Sequence, residues 1–146
     1  MAAQSAAEAL GLIVSPVLLI DTDILINAAR MIPDAVQFLE KTESEGTLGI
    51  SVITEMEIVA GCRDKKELRK LDKFLKRFQI LPVQAAISSQ ASHLLRTYNL
   101  SHGLLIPDAV IAATAIENSL VLATLNTKDF RFIDGLTLTE YPEASQ

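Results

Sequence analysis

The stretch LLIDTDILIN, residues 18–27, sets two carboxylates, Asp21 and Asp23, against an aliphatic run. An apolar run without alternation suits a strand buried on both faces of a parallel sheet. VLLI (17–20) is read as that strand, and it closes on an acid. A carboxylate placed there wants water, a cation or hydrogen-bond donors. The geometry of a strand end predicts that Asp21 faces the ligand edge of the sheet. Asp23, where the turn and helix begin, is expected on the periphery.

Working outward, Pro33 and Asp34 open a helix to about Glu43, and Gly46 stops it. TLGI (47–50) is a second short strand. In SVITEMEIVAGC, Ser51 is a plausible N-cap and Gly61 a plausible C′ residue. The segment RDKKELRKLDKFLKR is an amphipathic helix. Leu68, Leu71, Leu75 and Phe78 share one face, while Lys66, Arg69, Lys70, Lys73 and Arg77 lie largely off it. QILPV gives a third strand, ended by Pro82. A helix follows from 84 to about 98, and Pro107 suits the first turn of another running to about Asn118. LVLAT (120–124) and LTL (136–138) supply the last two strands. Strands alternating with helices predict an α/β domain with a central parallel sheet of about five strands flanked by helices. The domain is drawn from residue 16 to 141. Residues 1–15 are expected to form a flexible or weakly helical extension, and 142–146 a tail.

Composition narrows the function. The 146 residues are 49% hydrophobic, and the mean hydropathy is +0.30. Such a chain folds rather than staying disordered. No Trp and only five Phe leave the core to Leu, Ile, Val and Ala. No segment reads as a membrane span, and the N-terminus lacks the basic region of a signal peptide. The single cysteine, Cys62, cannot form an intramolecular disulfide, which fits a reducing compartment, the cytoplasm. A net charge of −5 disfavours nucleic acid in general. Yet eight of the 13 Lys and Arg residues fall between Arg63 and Arg77. The fold therefore carries a basic patch on an acidic body.

Ligand sites in parallel α/β sheets lie beyond the carboxyl ends of the strands. Asp21 follows the first strand, and Asn126 and Asp129 follow the fourth. Asp108 stands at a helix start, where the dipole favours an anion. Glu57 sits among Ile53, Met56, Ile58 and Val59. Taken singly, each has an ordinary reading as turn residue, cap or solvated acid. Gathered in one pocket they would repel unless a cation neutralised them. An all-oxygen set without cysteine or a histidine pair suits Mg²⁺ or Mn²⁺. His93 and His102 form no zinc-ligand pattern and are assigned to packing or solvent. No glycine-rich phosphate loop or nucleophile elbow is present.

Four stretches in register, LLIDTDILI, ISVITEMEIVAG, IPDAVIAATAIENSLVLATLNTKDF and IDGLTL, resemble PIN-domain ribonucleases of the VapC toxin type. The likeness spans nearly everything from residue 17 to 139. It implies catalytic acids at Asp21, Glu57, Asp108 and Asp129, with Asp21 and Asp108 as metal ligands for Mg²⁺ or Mn²⁺. Thr22 and Thr124 match hydroxyls that hold the acids, and Asn126 is a neutral residue at the fourth position. Glu57 stands four before Gly61, so it is expected inside and Glu55 exposed, because two helical positions apart differ by about 200°. Asp23 stands where the family more often has Asn or Ser. The resemblance also implies an RNA substrate, a homodimer and a cognate antitoxin whose tail blocks the acidic groove. Lys66, Arg69, Lys70, Lys73 and Arg77 are read as contacts to the RNA backbone. Two alternatives stand beside this. DTDIL also resembles the first motif of haloacid-dehalogenase-type phosphatases, although Lys128 and Asp129 fit its later motifs poorly. A non-catalytic PIN-like interaction module is favoured by Asn126 alone.

Overall fold

Alternation along the first strand decides how the layers form. In the computed structural model, which describes residues 15–139, β1 (Leu18–Ile20) is buried along its whole length. Leu18 and Ile20 point into one apolar cluster and Leu19 into another on the opposite face. A central strand must therefore be covered twice, and helices do this on both sides.

Five strands make one sheet in the order β3-β2-β1-β4-β5. They are β1, β2 (Leu48–Ser51), β3 (Phe78–Leu81), β4 (Leu122–Ala123) and β5 (Leu138–Thr139). Every neighbouring pair is parallel. Six α-helices alternate with them among the described residues: α1 (Thr22–Ala29), α2 (Pro33–Glu43), α3 (Val52–Ala60), α4 (Lys65–Leu75), α5 (Ala85–His102) and α6 (Ile106–Glu117). None is long and apolar enough to cross a membrane. The expected α/β domain is thus observed. The chain winds from β1 outward through β2 to β3, then returns to the other side of β1 as β4. This reversal opens a crevice at the carboxyl ends of β1 and β4.

Local chemistry fixes the helix ends that border this crevice. Asp21 itself caps α1, accepting from the Thr22 amide at 2.8 Å. Ser51 caps α3 as expected, accepting from the Ile53 amide at 3.2 Å. Asp64 caps α4, while Glu67 reaches back to the Arg63 amide, a reciprocal arrangement that satisfies two otherwise orphaned donors. Gly103, at φ 73°, closes α5 in the left-handed conformation that glycine adopts at low cost.

Several boundaries differ from the sequence reading. The helix expected to end near residue 98 continues to His102, because its stop signal is Gly103. Phe78 belongs to β3 rather than to the apolar face of α4, although its ring still meets Phe74 edge-on at 5.3 Å. Gly61 ends α3 in a right-handed conformation, so no left-handed C′ residue is needed there. The last strand is Leu138–Thr139 rather than 136–138. The proposed N-terminal extension, up to residue 14, and the tail from 140 onward lie outside the described residues.

Candidate active site at the strand ends

β1 delivers Asp21 to the crevice and α1 begins at once, so the acid serves both as helix cap and as site residue. It is 6% exposed. One carboxylate oxygen accepts the Thr22 amide, and the other accepts the Thr124 hydroxyl, from just after β4, at 2.7 Å. Burial, and then the neighbouring Asp23 charge, push its pKa up to about 7 despite these bonds; Asp108 adds a smaller push. A carboxylate held at this cost is poised to accept a cation.

Asp108 lies in the first turn of α6, where the helix dipole alone would favour ionisation. Its pKa instead rises to about 6. Burial is the largest cause, followed by the charges of Asp129, Glu57 and Asp23. The same charges show which acids converge. Asp129, in a short 3₁₀ turn (Thr127–Asp129), and Glu57 are both exposed, yet both act on Asp108. Asp108 thus feels the charges of Asp129, Glu57 and Asp23, and itself acts on Asp21.

Glu57 is held by Thr22, whose hydroxyl donates to its Oε1 at 2.8 Å. Thr22 Oγ1 also lies 3.0 Å from Thr54 Oγ1. Thr54 is fully buried and does not stand out in the sequence. Its signal is spacing: residues three apart on a helix share a face, so a buried Thr54 turns Glu57 toward α1. The expected contrast in burial is not found, because Glu57 sits exposed at the rim of the crevice and Glu55 is half-buried.

Asp23 is the principal correction. It is half-buried rather than peripheral. Its carboxylate accepts from the Leu125 amide at 3.2 Å and from the Asn126 side-chain amide at 2.8 Å. The Thr124 hydroxyl lies 3.4 Å away. Burial raises its pKa, against the pull of these hydrogen bonds. Asn126, the neutral member of the expected set, thus turns its amide toward Asp23.

The donor set is compatible with a divalent ion of the Mg²⁺ kind. Among the described residues no group of three or more His, Cys, Asp or Glu side chains could by itself hold a metal. Mg²⁺ does not require such a cage, since it keeps several waters and is usually bound through one or two carboxylates plus substrate phosphates. Asp21 and Asp108 fit that role, because each carries an ionisation cost that a cation would relieve. The histidines stay apart from the acids: His93 is exposed, and His102 stacks on Phe132 at 4.2 Å.

The basic segment divides into two groups, α4 itself and Arg77 just beyond its end. Arg77 is committed to Glu43 on α2, with its closest contact at 2.8 Å, and lies over the rings of Phe74 and Phe78. Lys66, Arg69, Lys70 and Lys73 are exposed. Between α1–α2 and α3–α4 runs a groove of about 1080 Å³. Ile26, Met31, Leu71 and Phe74 help to line it, and Glu57 and Lys70 also border it. Cys62, free and half-buried, lies in the same groove.

Known proteins share this fold. A family model described as PIN domain matches residues 18–136. Ribonuclease VapC10 of Mycobacterium tuberculosis is 34% identical over 120 residues, covering 82% of this chain and 90% of its own length. Ribonuclease VapC2 of Rickettsia felis is 33% identical over 130 residues, 84% of this chain and 96% of the relative. Among solved structures, VapBC2 from Rickettsia felis, bound to a DNA fragment from its promoter, superposes with a TM-score of 0.72 at 31% identity, over 85% of this chain and 98% of that one. A toxin–antitoxin complex from Klebsiella pneumoniae gives a TM-score of 0.71 at 34% identity, over 82% and 95%. These likenesses leave the haloacid-dehalogenase alternative without support.

Proposed function

The chain belongs to the PIN-domain family, among the VapC ribonucleases, and from that membership we propose that it is a divalent-metal-dependent endoribonuclease, the toxin of a toxin–antitoxin pair. The observation that carries this reading is the pair Asp21 and Asp108. Both are held in the crevice with raised pKa values, and the charges of Glu57 and Asp129 also bear on Asp108. That arrangement is unfavourable for an empty protein and favourable for one that binds Mg²⁺ or Mn²⁺.

In this reading Asp21 and Asp108 hold the ion. When bound, it supplies an activated water and neutralises charge developing on the phosphate oxygens. The protein supplies no nucleophile. Thr22 and Thr124 hold the carboxylates of Glu57 and Asp21 in place. Glu57 and Asp129, being exposed, are available to accept a proton from water or to orient it. RNA is the substrate, and the catalytic domain, residues 16–141, acts as a homodimer in the cytoplasm. An antitoxin segment blocks the acidic crevice, and the groove that Glu57 also borders gives it a place to lie. The direct test is cleavage of a mixed-sequence RNA by the purified protein. Cleavage should require Mg²⁺ or Mn²⁺ and stop on addition of EDTA. Equal cleavage in EDTA would refute the metal requirement, and no cleavage with either ion would refute the nuclease reading.

RNA affinity in an acidic protein must come from a local basic surface. Lys66, Arg69 and Lys73 follow the three- and four-residue spacing that puts them on one side of α4. Replacing all three with Gln should weaken RNA binding. The slope of log affinity against log salt should become shallower by about 0.7 for each single-strand phosphate that is no longer neutralised. The single-turnover rate at saturating RNA should be little changed. Binding measured across a salt series in Ca²⁺ reads this out, and an unchanged slope would show that the helix is only a solvated face.

A further inference from the structure

We propose that Asp23 is a positioning residue that clamps the loop after β4 onto α1, and so sets Thr124, Asn126 and Asp129 in register with Asp21. The inference rests on the nuclease reading only where it concerns cleavage.

The loop has no regular partner of its own. β4 ends at Ala123, and the 3₁₀ turn does not begin until Thr127. Between them the backbone must find other acceptors for its amides, because a buried N–H left unpaired is costly. Asp23 supplies one of them. Its Oδ2 accepts the Leu125 amide at 3.2 Å and the Asn126 side-chain amide at 2.8 Å. Thr124 supplies another, its Oγ1 accepting the Asn126 amide at 3.0 Å while donating to Asp21 at 2.7 Å. The Asn126 carbonyl then accepts the Asp129 amide at 2.9 Å, starting the turn that carries the fourth acid. A continuous series of bonds thus leads from α1 through the loop to Asp129. Asp23 enters it from 102 residues away in sequence.

This series accounts for a neutral residue at position 126. The Asn126 amide is a donor facing the Asp23 carboxylate. A second carboxylate at that point would repel Asp23 instead of pairing with it. The two residues therefore act as an acceptor and a donor that lock.

The role predicts different outcomes for two substitutions. Asp23→Ala removes the acceptor. Asp23→Asn keeps a carbonyl oxygen for the Leu125 amide, and its new amide can pair with the Asn126 carbonyl oxygen after that side chain flips. Amide hydrogen exchange in metal-free protein provides a readout independent of nuclease activity. In Asp23→Ala, the Leu125 and Asn126 amides should exchange at least about tenfold faster, as for a broken local hydrogen bond, while Leu19 and Ile50 in the central strands stay protected. Asp23→Asn should remain within about threefold of the parent, as expected when a hydrogen bond is retained. Protection of Leu125 unchanged in Asp23→Ala would overturn the clamp. So would loosening in Asp23→Asn as large as in Asp23→Ala, because charge rather than pairing would then hold the loop.

Cleavage of mixed-sequence RNA in Mn²⁺ supplies the second readout. Asp23→Ala should lower kcat with KM little changed, and Asp23→Asn should restore most of it. A loosened loop with full kcat would overturn the positioning role. Should the parent protein cut no RNA, the nuclease reading fails, and the clamp stands or falls on hydrogen exchange alone.

Discussion

Asp21→Asn should abolish metal-dependent RNA cleavage, with an expected loss of at least about a thousandfold in kcat/KM, since a bound metal contributes several kcal/mol to the transition state and each 1.36 kcal/mol is tenfold. The substitution is gentle on the fold. Asn is as good an N-cap as Asp and keeps an oxygen for the Thr22 amide. Its other polar atom becomes a donor facing Thr124, whose hydroxyl must rotate. The charge proposed to bind the cation is lost. The measurement is single-turnover cleavage across a Mn²⁺ series, with circular dichroism to confirm folding. A variant retaining more than about a tenth of parental activity would remove Asp21 from the ligand set, since that loss is below the 1.36 kcal/mol worth tenfold.

The same site makes the metal-free protein less stable as pH rises. Asp21 has a folded pKa of about 7 against an ordinary value of 3.8. Between those values the folded chain holds a proton that the unfolded chain has released, so the slope of stability against pH is negative. Stability from this group is complete below about pH 4 and is lost by about pH 7, a loss on the order of a few kcal/mol for a buried carboxyl. Asp108, raised to about 6, adds a loss of the same sign over a narrower window. Thermal melts in EDTA should therefore show Tm falling from pH 5 to pH 7.5. Asp21→Asn should flatten the curve and melt higher than the parent at pH 7.5. Added Mg²⁺ should raise the parent's Tm at neutral pH by binding only the folded form, and should do little for the variant. A parental Tm that is flat or rising over this range would show that Asp21 carries no such penalty.

Stability and function are thus opposed at one residue. A buried carboxylate beside other acids is a cost in the metal-free protein, and its negative charge is what a cation would neutralise.

Most of the sheet and two of the four expected acids can be read from local signals. VLLI, TLGI and LVLAT are short apolar runs that announce buried strands. Asp21 and Asp108 stand where such strands end or a helix begins. Glu57 needs more, since periodicity leaves it and Glu55 equally placed. The choice rests on the distance to Gly61, as the resemblance implies, and what favours Glu57 in the structure is the hydrogen bond from Thr22 beside buried Thr54. Asp23 escapes because its partners, Thr124, Leu125 and Asn126, lie about a hundred positions away. No pattern within a helix-length window encodes that pairing. Arg77 misleads for a similar reason. Its helix looks like a continuous basic surface, yet Glu43, 34 residues earlier, claims the guanidinium.

The winding order of the sheet has a consequence in time. β1 is the central strand and the first to be made, but its neighbour β4 is among the last. The bond between Thr124 and Asp21 joins residues 103 positions apart. At about 5–20 residues per second, that separation corresponds to on the order of 5–20 seconds between the synthesis of the two ends. Throughout that interval the nascent chain lacks Asp108, or the loop that aligns Asp21, or both. With the acids in the roles proposed, the cleavage site is completed only late in synthesis. A chain cut short before the β4 loop should therefore cleave no RNA, which an assay of the truncated protein checks.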